Sequence, residues 1–97
     1  MKSAAAAALK WHEEGNRGGT IIGLARAHQI VRGDKLSPST IKRMHSFFAR
    51  HAVDKNATGF SPGEDGYPSP GRVAWNLWGG DAGASWSAAK ASQLDAS

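Results

Sequence analysis

Six cations in this chain have the type and spacing to hold a row of phosphates: Arg17, Arg26, Lys42, Arg43, Arg50 and Lys55. Arginine presents a planar fork of N–H donors that fits paired phosphate oxygens, and lysine supplies a mobile point charge. Arg43 and Arg50 are seven residues apart, which in a helix places them on one face two turns apart, and Lys42 and Ser46 fall on an adjoining strip. Arg26 precedes this segment, Arg17 sits among glycines and Lys55 follows it. The chemistry is recognition of a polyanion by charge, as in contact with a nucleic-acid backbone. The plainer alternative is a solvated basic surface that only keeps a small protein in solution.

Two further clusters bear on this. Arg17-Gly18-Gly19-Thr20-Ile21 places glycines and a hydroxyl at a helix start, where free amides and the helix dipole favour an anion. Its spacing is neither that of a P-loop nor that of a dinucleotide fingerprint, and helix punctuation with a cap explains it equally well. Trp75-Asn76-Leu77-Trp78-Gly79-Gly80-Asp81 places two tryptophans three apart, with Trp86 close behind. Exposed tryptophans stack on bases, but in a chain with few other large apolar residues they are first of all core; Trp75 is expected to be the most exposed of them.

Catalytic and metal chemistry find little support. His12, His28, His45 and His51 lack the spacing of a zinc helix, and the chain has no cysteine. His51 and Asp54 are one turn apart, His45 is expected to border the core, and Glu13-Glu14 to form a solvated helix end. Neither a nucleophile elbow nor a paired-carboxylate pattern occurs. The expectation is therefore no enzyme, no metal and no cofactor.

The elements that must position the cations are helical. Ser3 to Glu14 reads as a first helix capped by Ser3, and Gly15 to Gly19 stops it. Thr20 caps a second helix to about Arg32, with Ile21, Leu24, Ala25, Ala27, Ile30 and Val31 at helical spacing and Gly33-Asp34 ending it. Small Gly23, Ala25 and Ala27 point to close approach of another helix. Ser37 caps a third helix, Pro38 to about Val53, in which Ile41, Met44 and Phe48 form the buried stripe with Phe47 on its flank. Helices two and three, joined by a short turn, resemble a helix-turn-helix.

Residues 55–71 are dense in turn signals and read as a long loop, pinned by Phe60 and Tyr67. A short fourth helix follows, about Gly71 to Trp78. Asp81 is expected to cap a fifth helix to about Leu94, anchored by a buried Trp86, with residues 95–97 fraying.

Composition sets the outer bounds. The chain has 97 residues and a net charge of +4, enough for one small domain with a thin core. Residues 1–55 hold ten Lys/Arg against Glu13, Glu14, Asp34 and Asp54, whereas residues 56–97 hold only Arg72 and Lys90 against four acids. The positive charge is thus concentrated in the half that contains the spaced cations. No run approaches the roughly 18 apolar residues of a membrane span, and Met1 to Leu9 lacks the apolar segment of a signal peptide. No membrane association is expected.

Several blocks occur in order: Arg17-Gly18-Gly19-Thr20, Gly23-Leu24-Ala25-Arg26-Ala27, Thr40-Ile41-Lys42-Arg43-Met44, Ser46-Phe47-Phe48-Ala49-Arg50-His51, Gly59-Phe60-Ser61-Pro62-Gly63, and Gly66-Tyr67-Pro68-Ser69 through Trp78-Gly79-Gly80-Asp81-Ala82-Gly83. Together they resemble a small module of bacteriophage and metagenomic viral proteins. Such modules stand alone or are appended to larger phage proteins, head-maturation proteins among them. The resemblance implies a viral origin and a transferable domain, and it assigns no site residues.

The sequence thus predicts an all-α domain over residues 1–97, with four or five short helices around a tryptophan-rich core. Its expected role is a phage-derived DNA-binding module that works largely through phosphate contacts, with RNA as the other polyanion it could take. It would be appended to a larger replication, repair or packaging protein, in the host cytoplasm or the virion. The alternative is a protein-interaction or structural module of a phage head or head-maturation protein, with the turn-rich loop and aromatics as its interface.

Overall fold

Hydroxyl caps fix where three of the helices begin. Thr20 accepts a hydrogen bond from the Gly23 amide, Ser37 from Thr40 and Ser69 from Arg72. In the last two a proline, Pro38 or Pro70, is the first helical residue, where its missing N–H costs nothing. Gly33, in the left-handed region at φ 76°, ends the second helix and returns its N–H to the carbonyls of Gln29 and Ile30. The computed structural model describes residues 1–96. It contains α1 (Lys2–Glu13), α2 (Ile21–Arg32), α3 (Pro38–His51), α4 (Pro70–Leu77) and α5 (Gly80–Ala96), with a 3-10 turn at Ala52–Asn56. The fold is all-α.

Two expected caps are displaced. Ser3 lies inside α1, whose N-cap is Met1 and carries no side-chain hydrogen bond. α5 begins one residue before Asp81, whose carboxylate instead accepts from Trp75 Nε1 at 2.9 Å and Lys55 Nζ at 3.1 Å. At the other end α5 runs through Asp95 to Ala96, past the expected end near Leu94, and Ser97 lies outside the described residues.

The shortest helix is the hub. α4 buries Val73, Trp75, Asn76 and Leu77, and it touches α1, α2, α3 and α5. α1 packs against α2 and α4, while α3 lies along α5. Met44, Phe47 and Phe48 of α3 meet Trp75, Leu77 and Trp78 in the central cluster. The tryptophan assignments exchange places: Trp75 is only 3% exposed, whereas Trp86, expected as a buried anchor, is half-buried on the rim of the core. Trp75 is drawn in because Asp81 satisfies its indole N–H, while Phe48 and Phe60 meet its ring edge to face.

The buried row of α2 is Gly23, Arg26, Ala27 and Ile30, so Ile21, Ala25 and Val31 face outward, contrary to the expected stripe. Gly23 lies in this buried row, on the side of α2 that faces α4. A Cβ there would meet Leu77 Cδ1 at 3.3 Å and Trp78 Nε1 at 3.5 Å, so its absence lets α4 press against this side of α2. The helix-turn-helix expectation fails for a related reason. α2 docks on α1 and α4, α3 docks on α5, and the two are not packed on each other as that motif requires.

The loop before α4 is pinned as its aromatics predict. Phe60 is buried, Tyr67 meets Trp11 edge to face at 5.6 Å, and Arg72 covers the Phe60 ring while donating from Nε to the Phe60 carbonyl at 2.6 Å. The glycine loop after α1 is fixed to the same place. Gly18 has φ 110°, and a Cβ on it would lie 2.3 Å from the Pro70 carbonyl oxygen, so only glycine fits.

Candidate functional site

The divergence of α2 from α3 opens a groove of about 810 Å³. α3 forms one wall with Lys42, Arg43, Ser46, Arg50 and His51, and the start of α2 forms the other with Thr20, Ile22 and Gly23. Ala74, Leu77 and Trp78 close the bottom together with Phe47. The four-residue rhythm of Lys42, Ser46 and Arg50 runs along α3, so the same amphipathicity that buries Ile41, Met44 and Phe48 turns these polar side chains toward the groove.

The floor is stiffened by stacked rings. Phe47 lies nearly parallel to Trp78, with centroids 4.6 Å apart and planes 11° apart, and His51 stacks on Phe47 at 4.4 Å. His51 Nδ1 is in turn 3.1 Å from Asp54 Oδ2, which orients the imidazole from outside the groove.

The electrostatics are one-sided. Among the described residues no carboxylate lines the groove, and Lys42, Arg43 and Arg50 enter no ion pair. The positive end of the α2 dipole borders the same space. Fixed positive charge beside apolar surface, with no acid to neutralise it, attracts anions from solution.

The remaining sequence-selected cations are placed differently. Arg26 is only 7% exposed and is withdrawn from any phosphate-contacting set. Its guanidinium lies 5.1 Å over the Trp78 ring, Nη1 donates to Gln29, and Nε has no partner. Burial, and then the charge of Arg43, lowers its pKa from the usual guanidinium value. Lys55 is held by Asp81 at 3.1 Å and lies over the Trp75 ring, so it ties the 3-10 turn to α5. Arg17 is exposed in the glycine loop next to Gly18, which lines the groove. The structure therefore brings together Lys42, Arg43 and Arg50, leaves Arg17 on the approach, and commits Arg26 and Lys55 to the body.

Sequence reasoning missed Ile22, Ala74, Leu77 and Trp78 as site residues. Paired Ile21-Ile22 at a helix start was the available signal, because one helix face cannot bury both; Ile22 is 61% exposed. His45, expected to border the core, is exposed. Among the described residues no group of three His, Cys, Asp or Glu is placed to hold a metal ion. No helix among them is long and apolar enough to cross a membrane. Together these features define a small all-helical domain with a cationic, apolar-floored groove. Comparisons with protein-family models, curated proteins and solved structures return no match to this chain.

Proposed function

We propose that the groove between α2 and α3 binds nucleic acid, DNA in the first instance, through phosphate contacts from Lys42, Arg43 and Arg50. The observation that carries this reading is the convergence of three unpaired cations on a groove with no carboxylate in its lining. Arg17 adds long-range attraction at the approach. Binding of this kind releases counterions and weakens steeply as salt rises. The likeness of the sequence blocks to phage modules favours a place in a larger phage replication, repair or packaging protein.

A second reading is an interaction or structural module of a phage head. It draws on Ile21 and Val53, which are 89% and 70% exposed. The turn-rich loop is less suited to that role than its composition implied, since Phe60 is spent in the core.

Titration of labelled single-stranded DNA, duplex DNA and RNA at two salt concentrations separates the readings. Phosphate binding gives a log affinity that falls linearly with log salt, whereas an apolar protein interface gives no nucleic-acid binding even at low salt.

A further inference from the structure

We infer that the groove takes single-stranded nucleic acid in preference to duplex, seating one or two bases against the apolar side formed by Ile22 and the edge of Trp78. This rests on the phosphate-binding reading and goes beyond it, since phosphate contact alone does not distinguish the two forms.

The cations and the apolar surface occupy opposite sides of one cleft. Lys42, Arg43 and Arg50 all belong to α3, and between the first and last of them the helix rises about 12 Å. Across from them stands Ile22, over half exposed at the start of α2. A duplex presents phosphates outward and keeps its bases paired and stacked within, so it could use the α3 side and leave the Ile22 side wet. A single strand is amphipathic across its width: the backbone runs along the cations, and unstacked bases turn to the opposite side. The cleft has the same polarity, and its volume of about 810 Å³ lies in the range that encloses small organic ligands.

The floor sets how bases are held. Phe47 and Trp78 are both less than one-tenth exposed, and the face of Phe47 is covered by Trp78 on its own stack. A base therefore rests on Ile22 and the indole edge and does not insert between the rings. Apolar contact of this sort tolerates any base, because every base offers an apolar face.

The experiment uses three probes over a series of salt concentrations that begins low: a thymidylate oligomer, an abasic deoxyribose-phosphate oligomer of equal length, and a duplex of equal length. Thymidylate is expected to bind about tenfold more tightly than the abasic strand, and more tightly than the duplex. Ile22→Ser, an exposed change that leaves the fold intact by circular dichroism, is expected to weaken thymidylate binding about three- to tenfold without changing its salt slope or the abasic affinity. If the abasic strand or the duplex binds as well as thymidylate, base seating is overturned while phosphate binding stands. If none of the three binds, the phosphate-binding reading itself falls and takes this inference with it.

Discussion

Trp78 and Phe47 lie face to face, 4.6 Å between ring centroids and 11° between planes, and by this contact α3 is registered against the end of α4. The pair serves as core on its inner side and as groove floor on its outer side. Stability and site shape are thus set by the same two rings.

Trp78→Ala is therefore expected to cost about 3–5 kcal/mol, the usual range for a large aromatic truncated in a core. The change also leaves the Arg26 guanidinium without the ring beneath it. In a domain of this size such a loss approaches the whole folding free energy. A urea or thermal melt of the variant reads it directly, and a transition close to the wild-type midpoint would contradict the packing described.

Arg43→Ala combined with Arg50→Ala separates binding from folding. Both side chains are exposed and unpaired, so stability is expected to change by about 0.5 kcal/mol or less. The slope of log affinity against log salt is expected to shrink by up to about 0.9 per lost contact on duplex, or about 0.7 on single strand. The loss is expected to be similar across unrelated sequences, because phosphate contacts position without reading. A loss confined to one sequence would indicate base readout instead.

Gly18→Ala tests how the glycine loop is fastened. The positive φ and the close Pro70 carbonyl both act against a side chain, so a destabilisation of about 1–3 kcal/mol is expected. Gly63, also at positive φ but with open space around it, gives the comparison: Gly63→Ala carries the conformational strain alone. Denaturant midpoints of the two variants separate collision from backbone strain.

Asp81 gives a pH dependence with a definite sign. Burial acts to raise its carboxyl, but hydrogen bonds from Lys55 and Trp75 and the charges of Lys55 and Arg72 outweigh that and hold it below the usual carboxylate value. The folded state therefore binds this proton less readily than the unfolded state. The contribution is fully present above the unfolded value of about 3.9 and is lost as pH falls through the lower folded one. Asp81 is largely exposed, so the effect is small, about 1 kcal/mol or less. Acid titration of stability in wild type and Asp81→Asn is expected to show a shallower low-pH decline in the variant.

Much of this fold is legible in single residues. Thr20, Ser37 and Gly33 mark helix ends by chemistry that acts locally, and the spacing of Arg43 and Arg50 needs only the helical period. The Ser69-Pro70 pair repeats the Ser37-Pro38 device and was equally readable. Arg26 was misplaced because charge outweighed position: it falls in the row with Gly23, Ala27 and Ile30. Asp81 was misplaced because a cap and a tertiary acceptor look alike in sequence, and only the fold brings the Trp75 indole within 2.9 Å of it. The groove could not be read locally at all. It exists because α2 packs on α1 and α4 while α3 packs on α5, and only the folded chain sets those partners.

Among the described residues Arg26 is buried without an ion-pair partner, its charge opposed first by burial and then by that of Arg43. A polyanion seated in the groove, as proposed, would bring negative charge to offset the repulsion that Arg26 meets from Arg43. On that proposal, occupancy of the groove would also stabilise the fold that forms it, and the melting midpoint would rise with added strand.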